Sequence, residues 1–599
     1  MGVSKKSLVK IASKLILIPY HWYIALKSLP ALVHKFSYRK PTNKEFIQQY
    51  NNWLKKQSRL SLPYREKLDE KEWLPSFAIL IAVTSKDIDY LDRTLQSLRD
   101  AKFPIAEVVI CFVGTDKREI QQLSDRCDTF IGDALKISSF LAINEAEAFN
   151  QAFLLVRSDY FMCMKAGDVI ESHCLTFVVK EIVSKPTLDI IYFDEGKVNS
   201  KGIKHIPNFK PKWSPDLLLS YNYLGSGVVF RSSIFKSVGR FDTSFYCSYL
   251  YDVLLRLTEN TDKISHISEV LFHKRSSSEN GNKIDEELIA IENALERRNE
   301  VAKVLVNDSR KGIYHIRYQL DEESKISIII PSRDQGKILD NCLASIYEKT
   351  SYRNYELIIV DNGSTEEEFF NVVEKWKKIL TVELKVLVLD IPFNFSRINN
   401  LAVREATGDY LLFLNNDVEV LSPDWLSGML EQAQRSSTGA VGAKLLFPNN
   451  EIQHAGVFLG VDGISSHPFA KNTEEDSHYY VNSIVNYSAL TGACLMMKKS
   501  VFEEVKGFDE DFVIEFNDFD LCLKLVNAGY NNVYLPHVVL YHYESYSRGK
   551  KHKDVQGFMR YRNERSLFLE RWGDYIENDP SYNSNLHKDS DQIFQPRLD

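Results

Sequence analysis

A block of motifs occurs twice along this chain at a nearly fixed spacing, and that repeat limits the possible folds more than any other feature. Segment 107–114 (EVVICFVG) lines up with 356–363 (ELIIVDNG), 159–164 (DYFMCM) with 409–414 (DYLLFL), and 228–242 (VVFRSSIFKSVGRFD) with 495–509 (LMMKKSVFEEVKGFD). Asp252 then matches Asp520 and His273 matches His542, at offsets of 268 and 269. A near-constant offset over several motifs is the mark of tandem homologous domains. The 599 residues also exceed what one compact core holds. The expected divisions are a basic segment at 1–44, a helical lead-in at 45–75, one domain at 76–300, a second at 325–548 and a helical tail at 549–599.

Within the second copy, apolar runs alternate with amphipathic stretches. The pattern predicts strands at 325–331 (KISIIIP), 356–361, 385–390 and 410–415, and helices at 336–348, 366–379 and 396–406. Strands alternating with helices make an α/β domain with a mostly parallel sheet covered on both faces. Ligands of such sheets bind at the carboxyl ends of strands. Those ends carry Pro331-Ser332-Arg333, Asp361-Asn362-Gly363 and Asn415-Asn416-Asp417, which defines a candidate site.

Composition narrows the function. A net charge of −7 argues against a nucleic-acid-binding body. The eight cysteines are scattered with no CxxC pair, so most read as buried thiols in a reducing compartment rather than a zinc or redox site. The first forty residues hold eight lysines and arginines and no acidic residue. Leu8, Ile11, Leu15, Ile18 and Trp22 fall on one helical face, and the apolar stretch 15–26 is too short to span a bilayer. Two readings fit: a peripheral anchor on the anionic inner face of the cell membrane, placing the protein in the cytoplasm, or a helix docked on the acidic body of the chain itself.

The second half resembles a family 2 glycosyltransferase with a GT-A fold, of the two-domain, rhamnosyltransferase-like kind that builds bacterial O-antigens and capsules. The motifs that carry the resemblance are IIIPSRDQ (328–335), VDNGST (360–365), FNFSRINN (393–400), GDYLLFLNNDVEV (408–420), VGAKL (441–445), IQHAGV (452–457), TGACL (491–495), GFDEDF (507–512), FNDFDLCLKL (516–525) and HYESYSRG (542–549), with WGDY and NDPSYN near the end (572–583).

The resemblance implies tandem GT-A domains, a nucleotide-sugar donor, a glycan or polyprenyl-linked saccharide acceptor, and Mg²⁺ or Mn²⁺. It makes Asp417 the metal carboxylate, with Asn415 a weaker neutral neighbour where the wider family has Asp, and Asn416 beside the donor. Glu419 would point the same way if the chain stays extended. His542 is either a metal or diphosphate ligand or a satisfied core histidine. Asp518 aligns with the general base and Asp520 takes an orienting or structural part. Each also reads as a helix cap. Asp361, Pro331, Ser332 and Arg333 line the nucleotide pocket, and Arg397, Asn400 and Arg548 lie near base and diphosphate or on the surface. Gly492, within Thr491-Gly492-Ala493, lets the backbone approach a sugar ring.

The offsets place Phe112 where Asp361 stands, Lys165-Ala166-Gly167 where Asn415-Asn416-Asp417 stand, and Leu250 where Asp518 stands. The first domain therefore reads as a pseudo-transferase, although Asp168, Asp194 and Glu195 remain. Segment 209–216 (FKPKWSPD) resembles one common in the first domains of such enzymes. Two other readings are a bifunctional two-site polymerase and a non-catalytic glycan-binding assembly protein.

Overall fold

The computed structural model describes residues 42–60, 73–114, 135–276, 283–321, 323–472, 478–543, 555–589 and 592–598. The chain enters on helix α1 (Asn43–Leu60) and builds strands β1 (Phe77–Thr84), β2 (Glu107–Val113), β3 (Leu135–Ala142), β4 (Tyr160–Lys165), β5 (Val169–Ile170), β6 (Ile190–Val198), β7 (Lys204–Asn208) and β8 (Val228–Arg231). Helix α2 (Tyr249–Thr258) and β9 (Ile264–Arg275) complete this half, and a hairpin of β10 (Ala302–Val306) and β11 (Tyr314–Tyr318) leads onward.

The second half holds β12 (Ile326–Ser332), helix α3 (Gly336–Lys349), β13 (Tyr355–Asp361), β14 (Leu384–Val388), helix α4 (Phe395–Glu405), β15 (Tyr410–Leu414), β16 (Val418–Val420), β17 (Thr438–Leu446) and β18 (Ile452–His454). There follow the short pair β19 (Phe458–Leu459) and β20 (Ser465–Ser466), β21 (Val485–Tyr487), β22 (Cys494–Lys498), helix α5 (Asn517–Asn527), β23 (Asn531–His542) and helix α6 (Val555–Glu577).

The two large sheets share an eight-strand order, and sheet two adds β21 on β23. Sheet one runs β3-β2-β1-β4-β8-β6-β9-β5 with β7 on β6, and sheet two runs β14-β13-β12-β15-β22-β17-β23-β16 with β18 on β17. In each, the first four strands are parallel and the fifth is antiparallel to both neighbours. This α/β architecture of two sheet-rich halves is the one expected from the repeat. The unbroken Ile run of β12 is buried on both faces, as a parallel strand under helices must be. Glu107 and Glu356 play the same part in each half. Each is buried, binds a lysine and a serine hydroxyl, and has its pKa lowered to about 2 by those bonds despite burial.

The halves are joined by polar contacts. Asn486 Nδ2 donates to Asp216 at 2.6 Å and Arg435 to the other Asp216 oxygen at 2.7 Å. Asn583, beyond α6, donates to Asp194 at 2.8 Å and to the Lys210 carbonyl at 2.9 Å. The FKPKWSPD segment thus serves the contact between halves, and the NDPSYN segment clasps it. Asp579 of that segment accepts from Leu459 N–H and the Ser488 hydroxyl at 2.7 Å each. Among the described residues no helix is long and apolar enough to cross a membrane. The basic segment 1–40 lies outside them.

Candidate active site

The carboxyl ends of β12, β13 and β15 meet at one edge of sheet two. Asn416 Nδ2 donates to Ser332 Oγ at 3.0 Å, and Asn362 N–H to the Ser332 carbonyl at 2.9 Å. Asp361 is buried and accepts the Ser364 N–H at 2.8 Å. Asp334, in the left-handed region at φ 54°, ties the PSRDQ loop to the DNGST loop by accepting the Thr365 and Glu366 N–H groups at 2.6 and 2.9 Å. Those bonds hold its carboxyl below the usual range. Pro331 is half-buried and Arg333 exposed at the same edge. Arg397 is exposed, 3.9 Å from Glu510, and Asn400 is taken up by the Phe508 backbone, donating to its carbonyl at 2.9 Å and accepting its N–H at 3.0 Å. Arg548 lies outside the described residues.

Asp417 and His542 come together across the β16–β23 pairing. Val418 faces His542 in register, and His542 Nε2 stands 3.2 Å from Asp417 Oδ1. Asn415 Nδ2 is 3.2 Å from the same Nε2, and Gln453 Oε1 is 2.6 Å from His542 Nδ1. Adjacent ligands of one octahedral Mg²⁺ or Mn²⁺ stand about 3 Å apart, given metal–ligand distances near 2.1 Å. The Asp417–His542 spacing fits that, and a hard carboxylate with an imidazole suits Mn²⁺ in particular. Glu419 does not join them: Lys349 holds it at 3.2 Å and the Tyr543 hydroxyl at 2.8 Å.

Asp518 sits in the first turn of α5 and faces Gly492. Its Oδ2 accepts the Gly492 N–H at 2.8 Å, and its Oδ1 accepts the Phe519 N–H at 3.0 Å. A Cβ at Gly492 would come within 3.2 Å of the Asp518 Cβ, so glycine keeps the two backbones close. Burial raises the Asp518 pKa to about 6 against the opposing pull of these N–H groups. The next residue, Ala493, offers its carbonyl to Asn415 N–H at 3.0 Å. One dipeptide therefore connects Asp518 to the Asn415–Asp417–His542 cluster.

Asp520 is fully buried and accepts from Arg571 at 2.7 Å and Trp572 Nε1 at 2.9 Å, both on α6. Glu564, also on α6, accepts the Ile514 and Glu515 N–H groups just before α5. Between them Phe516 adopts φ 63° and stacks on Phe568 at 5.0 Å. A left-handed Phe costs on the order of 1 kcal/mol, and the brace from α6 maintains it. Gln453, Glu564, Arg571 and Trp572 were not singled out from the sequence. The one available signal was that Gln453 and the WGDY residues lie inside motifs shared with the resembling family.

The pairing of β5 with β9 changes one equivalence between the halves. Val169 faces His273 as Val418 faces His542, so the residue matching Asp417 is Asp168, not Gly167. The β4–β5 loop carries one extra residue, which the sequence offsets cannot localise. Asp168 is spent on the N–H groups of Lys165 and Arg275, at 2.9 and 2.8 Å. Arg275 fills the space beside Gly167, where a Cβ would meet its Cδ at 2.3 Å, and pairs with Asp87. The matching histidine, His273, has its Nε2 on the Tyr50 hydroxyl of α1 at 3.1 Å.

Residues 327–506 match Glycosyl transferase family 2. The chain is 37% identical over 464 residues to the uncharacterized protein y4gI of Sinorhizobium fredii, covering 74% of this chain and 50% of that protein. It is 36% identical over 414 residues to the O-antigen biosynthesis protein RfbC of Myxococcus xanthus, covering 67% of this chain and 32% of that one. Over 246 residues it is 22% identical to N-acetylglucosaminyl-diphospho-decaprenol L-rhamnosyltransferase of Mycobacterium tuberculosis, covering 38% of this chain and 78% of that one. The chain thus spans half or less of the first two relatives. The sheet-rich half that carries the Asp361, Asp417 and Asp518 motifs therefore contains a glycosyltransferase family 2 domain.

Proposed function

We propose that this chain is an inverting glycosyltransferase that moves a sugar from a nucleoside-diphosphate donor to a hydroxyl of a cell-surface glycan or lipid-linked saccharide. The observation that carries the reading is the Gly492-Ala493 dipeptide, bonded on one side to the Asp518 carboxylate and on the other to Asn415, beside Asp417 and His542. A general base and a cation-binding pair on one stretch of backbone suit a reaction in which a hydroxyl is deprotonated while a diphosphate departs.

In this reading Asp518 takes the proton of the acceptor hydroxyl as that oxygen bonds to the anomeric carbon. The bond from that carbon to the donor's diphosphate oxygen breaks, and its electron pair leaves with the nucleoside diphosphate. Attack on the face opposite the leaving group inverts the anomeric configuration. A carboxyl with a pKa of about 6 is well matched to base catalysis near neutrality. Asp417 and His542 would hold Mg²⁺ or Mn²⁺, which when bound neutralises charge developing on the diphosphate. Ser332 and Asp361, with Pro331 and Arg333, form the nucleotide side. Arg397 would bind the diphosphate, while Asn400 acts by holding the loop at Phe508.

A rhamnosyl donor and a polyprenyl-diphosphate-linked acceptor are the first pair to try, since the mycobacterial relative bears that name. The first half is proposed to be non-catalytic, and residues 1–40 to hold the protein at the cytoplasmic membrane face. The test is incubation of the full chain with a panel of nucleotide sugars and such acceptors, with the product anomer read by NMR. One donor consumed with inversion is expected. A retained anomer, or no donor consumed with any acceptor, overturns the reading.

A further inference from the structure

His542 is held from behind by a single side chain, and that contact determines which of its nitrogens carries a proton. Gln453 lies in the buried strand β18 and is 7% exposed. Its amide grips two atoms of one residue: Nε2 donates to the His542 backbone carbonyl at 3.1 Å, and Oε1 stands 2.6 Å from His542 Nδ1. A carbonyl oxygen only accepts, so the NH₂ group must face it, and this settles which way the amide points. The Gln453 oxygen then faces Nδ1, and since that oxygen also only accepts, Nδ1 must carry the hydrogen.

We propose that Gln453 is a positioning residue that fixes His542 with its proton on Nδ1, leaving the Nε2 lone pair turned toward Asp417 and free to bind a divalent cation. The inference rests on the metal reading of Asp417 and His542 given above. The other neighbours of Nε2 agree with it. The Asn415 amide nitrogen, 3.2 Å away, can donate to a lone pair, and the Asp417 oxygen, also 3.2 Å away, is a second acceptor whose repulsion a shared cation would relieve. A ligating imidazole whose far nitrogen donates to an oxygen is oriented and made more basic by it.

The first half provides an internal contrast. There the matching His273 has a carboxylate rather than an amide at its Nδ1, with Glu171 at 3.3 Å. The device is present only in the half that keeps Asp518.

The experiment uses full-length protein with ¹⁵N-labelled histidine and no substrate. The His542 ring signals, assigned by their loss in His542→Ala, are expected to report a protonated Nδ1 and an Nε2 lone pair. Gln453→Leu is expected to redistribute the proton and to weaken Mn²⁺ binding, measured by calorimetry, about 10- to 100-fold. Gln453→Glu keeps an acceptor at Nδ1 and is expected to recover most of that loss. A wild-type ring protonated on Nε2 alone overturns the proposal without any variant. So does wild-type Mn²⁺ affinity in Gln453→Leu, or equal losses in the Leu and Glu variants, which is what a packing role alone would give. If His542→Ala leaves Mn²⁺ affinity unchanged, the metal reading itself has failed, and the ring signals still judge the tautomer.

Discussion

The two halves share a sheet order, a buried glutamate at the second strand and a late histidine, yet the groups at equivalent places are bonded differently. In the second half, Asp417 and His542 face each other and the Asp518 carboxylate meets the backbone of Gly492. In the first, the equivalent carboxylate survives as Asp168, but its oxygens are bonded to backbone, Arg275 lies across the loop, and His273 is bonded to Tyr50 of α1. Leu250 stands where the base would be. If the first half is non-catalytic, as proposed, its loss of function comes from filling a site rather than from deleting its most recognisable residue. A conserved type at a conserved place says little until its hydrogen bonds are accounted for.

The sharpest way to break this contrast is to remove the cation or its carboxylate. Transfer is expected to stop in excess chelator and return with Mg²⁺ or Mn²⁺, and Asp417→Ala is expected to weaken both donor binding and rate. Full turnover in chelator would remove the functional difference between Asp417 and Asp168.

Next in size is the base. Asp518→Asn is expected to lower turnover by about 10²–10⁴-fold with donor binding largely kept, and Leu250→Asp added to that variant is expected to restore nothing. The same variant has a stability signature. The folded pKa of Asp518, about 6, lies above the ordinary value of 3.8, so its ionised form is disfavoured by folding. That penalty is present above pH 6 and disappears as pH falls, or when Asn replaces Asp. Thermal midpoints at pH 7.5 should therefore rise, not fall, in Asp518→Asn. An inactive and less stable variant would point to a structural carboxylate.

A smaller effect is the acid limb of the rate. With Asp518 the base, kcat/KM is expected to level off above neutrality and to fall about tenfold per pH unit below pH 6. A limb near pH 4 would leave Asp518 without its proposed part.

Much of this was legible in the sequence for specific reasons. The Ile run of β12 and the alternation after it give the sheet, because a parallel strand under two helix layers must be apolar throughout. The repeat gives the second sheet. Asp361, Asp417 and Asp518 stand in motifs at strand or helix ends, where a side chain can reach a ligand. What was not legible depended on distant partners. Asp520 is bonded through one oxygen by Arg571 and Trp572 from a helix beyond the domain, and Gln453 meets a histidine 89 residues later. The Asp168 equivalence was hidden by one inserted loop residue, which only the pairing of Val169 with His273 reveals.

The smallest expected effect tests the closed half. Of its remaining carboxylates, Asp194 is the wrong one to change. It is fully buried, bonded to His266 at 2.8 Å and to Asn583 from the C-terminal clasp, so Asp194→Asn would loosen the contact between halves whether or not the first half is catalytic. Asp168 and Asp252 are better probes. Asp252 pairs with Arg256 on its own helix, and both Asp168 bonds come from backbone N–H groups that an Asn oxygen can still accept in part. The double variant Asp168→Asn, Asp252→Asn is expected to fold and to leave turnover on a short soluble acceptor nearly unchanged. Titration calorimetry on the full chain is expected to find one nucleotide-sugar site, removed by Asp361→Ala and untouched by the double variant. Opening the plug is the complementary measurement. Arg275→Ala vacates the space beside Gly167 and removes the side-chain bond to the Ala166 carbonyl, while the Arg275 backbone N–H stays on Asp168. With Leu250 still in the base position, a second nucleotide site appearing in Arg275→Ala would mean that the first half retains a binding site held shut by one side chain. Two sites in the unaltered chain, or a linkage in the product that vanishes with the Asp168 and Asp252 changes, would mean that both halves are working transferases.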